Sequence, residues 1–239
     1  MKITGKVAGR KDMKKELNYF SIEGGVGGNQ EWFRNVVMYM GGCAAATACD
    51  CCIYFALRNG QQNLYPFDIE NLNKEDYIRF GMKMKPYIKP RVGGVKKLSM
   101  FIEGFGAYLE DTAEPAGTIP GSLERATGEE HGQKEAESRE NNLVYRMEGF
   151  SGKHTAEEAA RTIKEQIDAG FPIPYLMLRH KNPKYKDYVW HWFLCYGYEE
   201  TEDDFLITVA TYGEAATFSL KDLWNTGYEE RGGLILYRK

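Results

Sequence analysis

The sequence predicts an α+β domain, and three observations predict it. Helix-period apolar patterns fill the first half of the 239-residue chain. Short strand-like apolar runs, bounded by glycine and polar turns, fill the second half. The two kinds of element are segregated rather than alternating, which argues against a βαβ succession.

Each element has a local cause. Residues 1–28 mix charge and then glycines (Gly24, Gly25, Gly27, Gly28), and read as an arm or strand leading into a loop. Residues 29–40 are amphipathic and aromatic. Residues 43–57 form a helix apolar on most sides, stopped by Asn59-Gly60. Asn71 or Asn73 caps a helix over 76–85, which Lys85-Pro86 ends. Residues 93–109 are a further helical segment after a glycine loop.

Residues 111–142 are rich in Glu, Gly, Ser, Thr and Pro and poor in large apolar residues, the composition of an exposed insertion or a lid. Residues 143–147 alternate like a strand. Thr155 then caps a helix with Glu157-Glu158 in its first turn, running to Ala169 and stopping at Gly170. Strands follow at 175–178, 189–198, 205–212 and 233–237, with a polar turn at 179–188 and a short strand and helix over 217–224.

The length fits one domain over 1–239 with 111–142 as its insertion, long enough to bury a core. A net charge of −3 gives no whole-chain case for nucleic acid or an anionic membrane. No apolar stretch approaches the roughly 18 residues of a bilayer span. The basic N-terminus is not followed by a hydrophobic signal core. Five cysteines is an odd count, and four of them fall within 43–52, where helix neighbours do not meet disulfide geometry. A reducing, cytoplasmic setting is therefore expected. The 16 tyrosines require hydroxyl partners, which suggests a polar-edged core or cleft.

Cys43 carries the most chemistry. It follows Gly41-Gly42 and opens the apolar helix, where free N–H groups and the positive dipole end favour a thiolate. A free cysteine is most often a small core residue, and the double glycine argues for more here, because it lets the backbone approach a substrate. His191 opens a strand-like run, at a sheet end near a cleft mouth, with Phe193 and Cys195 on its face. A helix-start cysteine and a strand-start histidine are the two halves of a thiol–imidazole pair. Cys49, Cys51 and Cys52 lie on different faces of one helix, which is not zinc-ligand spacing, so they read as core. Neither a metal nor a cofactor is expected. His131, His154 and His180 default to the surface.

These motifs resemble the papain-like cysteine peptidase superfamily, closest to the bacteriocin leader (double-glycine) peptidase branch. The resemblance rests on Asn29-Gln30, on Gly42-Cys43-Ala44-Ala45-Ala46-Thr47-Ala48, and on Phe171-Pro172-Ile173-Pro174-Tyr175-Leu176 after the helix at 157–170. It also rests on His191-Trp192-Phe193-Leu194-Cys195-Tyr196-Gly197-Tyr198, on Val209-Ala210-Thr211-Tyr212-Gly213, and on the run 218–224. It covers roughly 29–58 and 155–239.

The resemblance implies a papain-like fold, with a helical lobe and central nucleophile helix packed on an antiparallel sheet. It implies Cys43 as nucleophile, His191 as general base and then acid, and Gln30 with the Cys43 N–H as oxyanion donors. The chain departs from that family in three ways. Ala44-Ala45 stands where a Gly-Pro pair is usual, and Gln30 lies farther upstream than usual, with Asn35 a rival donor. Thr211 occupies the strand end where an Asp or Asn would orient the histidine, and Asp203 and Asp204 fall too early.

The expected function is therefore a cysteine peptidase or amidase on a peptide or small amide or acyl substrate. The alternatives are an acyltransferase with the same thioester chemistry, and a catalytically silent peptidase-like binding protein.

Overall fold

A seven-stranded antiparallel sheet organises the computed structural model, which describes residues 13–91, 93–113 and 145–238. In chain order the strands are β1 (Met13–Glu16), β2 (Ser21–Ile22), β3 (Gly25–Val26), β4 (Arg146–Ser151), β5 (Ile173–Met177), β6 (His191–Glu200), β7 (Phe205–Thr211), β8 (Glu214–Ser219) and β9 (Gly232–Arg238). The helices are α1 (Val36–Gly41), α2 (Cys43–Asn59), α3 (Lys74–Met84), α4 (Leu98–Thr112), α5 (Ala156–Asp168) and α6 (Leu220–Trp224).

The sheet order is β4-β9-β5-β6-β7-β8, with β1 added to β6. Strand β6 is long enough to take two partners along one edge. Its first half pairs with β5, from His191 opposite Met177 to Cys195 opposite Ile173. Its second half pairs with β1, from Gly197 opposite Glu16 to Glu200 opposite Met13. β7 covers the other edge, with a register shift between Cys195 and Gly197. The α+β class is thus as the segregated patterns predict.

Alternation along the strands assigns the two faces. Trp192 stacks on Phe101 of α4 at 4.6 Å, and the Tyr237 hydroxyl meets the Cys51 sulfur of α2 at 3.2 Å, so α2 and α4 cover one face. Tyr175 meets Trp224 of α6 edge-on at 5.8 Å on the other face, where α5 also packs. The sheet is therefore covered on both sides.

Helix α2 is buried from Cys43 to Ala56, the all-round apolar helix its sequence implies. Its four alanines in the first two turns remove side-chain bulk. Gly60 ends it in the left-handed region at φ 72°, as Asn59-Gly60 predicts. The caps are also local and legible. Asn73 accepts from the Asp76 N–H at 2.9 Å and starts α3. Thr155 and Glu158 form a reciprocal capping box on α5, at 3.1 and 2.8 Å.

Several boundaries differ from the sequence reading: the helix expected at 93–109 spans Leu98–Thr112, that at 76–85 spans Lys74–Met84, and the strand expected at 189–198 spans His191–Glu200. Of the strand expected at 143–147, residues 143 and 144 lie outside the described residues, and the strand described there spans Arg146–Ser151, paired along its length with β9. The polar turn at 179–188 contains a 3-10 helix, Pro183–Tyr188, started by Asn182. Of the insertion expected at 111–142, Asp111 and Thr112 belong to the last turn of α4, and 114–142 lies outside the described residues.

Gly28 is a packing constraint near the centre of the helical side. A Cβ there would overlap the ring and hydroxyl of Tyr77, which is fully buried. Gly28→Ala should destabilise the protein by about 2–4 kcal/mol through this overpacking. Chemical denaturation measures it, and a change below about 0.5 kcal/mol would show that Tyr77 has room to move.

Candidate active site

Cys43 is the first residue of α2, and the chain reaches it without a loop. Helix α1 ends at Gly41, and only Gly42 intervenes, its N–H bonded to the Met38 carbonyl at 2.8 Å. A Cβ on Gly42 would overlap that carbonyl, so the helix-to-helix junction requires glycine. Gly42 also brings no capping side chain. The first-turn N–H groups of Cys43 and Ala44 lie where they favour the charged form of the Cys43 sulfur. The backbone N–H of Trp192 joins them, which places the sulfur against the His191–Trp192 peptide.

The electrostatic outcome corrects the sequence expectation of a thiolate. Cys43 is 4% exposed, and burial pushes its thiol up by more than the three N–H groups pull it down. At neutral pH the sulfur carries its proton. The helix-start field is present, but desolvation outweighs it.

His191 sits 5% exposed at the first position of β6. It is buried rather than at an open cleft mouth. Burial drops its imidazole to about 4, so it is neutral at physiological pH. Its Nε2 lies 2.8 Å from the Thr211 hydroxyl, at the end of β7. Thr211 therefore stands against one nitrogen of the ring, at the strand end where the resemblance would have a carboxylate or amide.

Tyr212 completes the surroundings of the histidine. Its ring lies parallel to the imidazole, 3° apart in tilt with centroids 4.5 Å apart. Its hydroxyl is 3.5 Å from Nδ1, about the spacing of two stacked rings, so it lies above the imidazole plane.

Tyr212 takes φ 52° and Gly213 φ 76° in the two-residue turn between β7 and β8. A left-handed tyrosine is uncommon and is held from outside. The Asn29 side chain donates to the Tyr212 carbonyl at 2.8 Å, and the Val26 N–H donates to that of Gly213 at 2.8 Å. The sequence carried one signal for this residue, a Tyr-Gly pair at a hairpin tip.

Cys43, His191, Thr211 and Tyr212 line one small cavity with Gln30 and Asp50. Its free volume of about 20 Å³ admits a single water. Gln30 enters this wall from a 3-10 turn, Gln30–Trp32, capped by Asn29. Its Nε2 donates to the Tyr39 carbonyl at 2.7 Å, leaving one amide proton, while its Oε1 is buried with no hydrogen-bond partner. The rival donor Asn35 is engaged otherwise. It caps α1 through the Met38 N–H at 3.2 Å and meets Lys85 Nζ at 3.3 Å.

Asp50 is the group that the sequence reading passed over. It lies two turns along α2 from Cys43, 6% exposed. The hydroxyls of Tyr19 and Tyr77 each donate to it at 2.8 Å, and the Gly28 N–H reaches both its oxygens at 3.2 Å. Burial nevertheless raises it to about 6, against the pull of those donors. Asp204 is bound in its own turn, by the Phe205 N–H at 2.8 Å and the Ser219 hydroxyl at 3.0 Å.

The remaining cysteines are buried in the core: Cys49, Cys51, Cys52 and Cys195. Among the described residues no helix is long and apolar enough to cross a membrane. No family model matches the chain, and no curated protein matches it in sequence.

The two buried titrations act in opposite directions. His191 falls from 6.5 to about 4 on folding, so the unfolded chain takes up its proton first and acidification through that window removes stability. Asp50 rises from 3.8 to about 6, so the folded state takes up its proton first and acidification through that window adds stability. Asp50→Asn should therefore steepen the loss of stability between pH 6.5 and 4. Urea denaturation at stepped pH checks it, and equal slopes in parent and variant would count against these assignments.

Proposed function

We propose that this chain is a cysteine hydrolase of papain-like design, a peptidase or amidase that cleaves through a thioester on Cys43. The observation that carries the reading is the convergence of Cys43, His191 and Thr211 on one buried cavity from three separate elements. The helical side with its central cysteine helix, packed on an antiparallel sheet, supports the same reading.

In this reading the pair rests as thiol and neutral imidazole. His191 donates its Nε2–H to Thr211, which leaves Nδ1 as the base. As the Cys43 sulfur attacks the carbonyl carbon, Nδ1 takes the thiol proton. The oxyanion is met by the Cys43 backbone N–H and the second amide proton of Gln30. The imidazolium then protonates the departing amine, and the C–N bond breaks. Water attacks the thioester with Nδ1 again as base, which releases the acid and restores the thiol.

Acyl transfer to an amine is the second reading, and one feature favours it. A cavity with room for one water limits water's access to a thioester.

An activated ester or amide substrate tests both readings. Intact-mass and peptide mapping should find a single acyl group on Cys43, absent from Cys43→Ala. His191→Ala should slow acylation on the order of 10³-fold. Thr211→Val should slow it about ten-fold through one lost hydrogen bond. Release with and without added amine separates hydrolysis from transfer. Acylation no faster than that of a free thiol would instead point to a silent binding protein.

A further inference from the structure

Beside the candidate active site lies a larger cleft, of about 560 Å³, the size that takes a small ligand or one to two residues of a peptide. Its link to the site runs along one strand. Trp190, which lines it, is the residue before His191, and the backbone N–H of Trp192 faces the Cys43 sulfur. Trp190 is 41% exposed and takes φ 56°, pinned by its N–H to the Leu178 carbonyl at 2.9 Å. A strained, exposed tryptophan beside a candidate catalytic histidine marks a wall held for contact.

The chemistry of this cleft differs from that of the whole chain. The protein carries a net charge of −3. The cleft gathers Lys96, Lys97, Lys153, Arg179 and Arg231 against only Glu229 and Glu230. None of these cations makes an ion pair among the described residues. Arg179 instead lies over the Trp190 ring at 5.3 Å and faces Tyr228 at 5.9 Å. Helix α4 begins at the same wall, at Leu98, with no side-chain cap, so its dipole adds to the positive field. Leu176 and Leu178 add apolar lining.

We propose that this cleft is a substrate subsite for a carboxylate, so that the substrates are acidic peptides or amides with a negative charge close to the scissile bond. This rests on the cysteine-hydrolase reading for the bond broken, but not for the binding. The indole face of Trp190 and the apolar Leu176 and Leu178 beside the cations fit a carboxylate on a short aliphatic stem better than a strongly hydrated phosphate. The stems of the lysines and the Trp190 face accept the aliphatic part of an acidic side chain.

The test uses the full chain with Cys43→Ala, which cannot turn over. A set of N-acetyl tetrapeptide amides, identical except for Asp, Asn, Lys or phosphoserine at one position, is titrated calorimetrically. The Asp peptide should bind at least ten-fold more tightly than the Asn peptide. That advantage should fall with salt and vanish in Lys97→Glu/Lys153→Glu, with Lys97→Gln/Lys153→Gln as the milder pair if the reversal unfolds the chain.

Equal binding of the Asp and Asn peptides, no binding by either, or an advantage that survives charge removal overturns the proposal. Tighter binding of the phosphoserine peptide overturns the choice of carboxylate. The two readings fail separately. Asp-peptide binding without acylation of native Cys43 sinks the hydrolase and keeps the cleft. Acylation of Cys43 regardless of substrate charge does the reverse.

Discussion

The buried carboxylate of Asp50 is the constraint from which the geometry of the helical side follows. A carboxyl group in the middle of an otherwise apolar helix must find donors or lose several kcal/mol. It finds three, from three places in the chain: Tyr19 before the glycine loop, Gly28 within it, and Tyr77 on α3. Those contacts set where the loop enters the molecule. Asn29 and Gln30 follow Gly28 at once, and the loop brings one to the Tyr212 carbonyl and the other to the cavity wall. One helix thus carries both the candidate nucleophile and the anchor for the loop opposite it.

The second constraint is the closeness of that helix to the sheet. Ala44, Ala45, Ala46 and Ala48 leave little bulk between the start of α2 and its neighbours. The Cys43 sulfur thereby reaches a backbone N–H of β6 rather than a side chain. Close approach and dryness come together. The small side chains that bring the sulfur to the backbone of β6 also exclude the water that would ionise it.

Much of this was legible in the sequence, and the reason is locality. Caps such as Thr155 with Glu158, stops such as Gly60, and the apolar run of α2 depend on neighbours a few residues away. The places of Cys43, His191 and Thr211 in the fold were legible for a similar reason, as a helix start, a strand start and a strand end. What was not legible depends on contacts between distant segments. β4 pairs along its length with β9, and the role of Asp50 is set by tyrosines 31 and 27 residues away. The charge state of Cys43 was misread because a helix-start position is visible in sequence, whereas the burial that opposes it is not.

Burial acts on the two central groups in the same sense. It raises the thiol and lowers the imidazole, so both favour the neutral pair. Moving the proton from sulfur to nitrogen creates two charges in a dry site, and only groups already in place can stabilise them. The sulfur has three backbone N–H groups that favour its charged form, though burial outweighs them in the resting state. The imidazolium has the Thr211 hydroxyl and the Tyr212 ring face, a dipole and a quadrupole but no full charge. The support is uneven, stronger for the anion than for the cation. Such a pair does not keep a standing ion pair. In the proposed hydrolase reaction it would separate charge only as a substrate carbonyl takes up the sulfur's electrons, with the N–H donors of the α2 start already in place for the carbonyl oxygen. Thr211 in place of a carboxylate is then not simply a loss. A carboxylate beside a buried histidine would favour the imidazolium in the resting state, whereas a hydroxyl fixes the ring and leaves the base neutral until it acts.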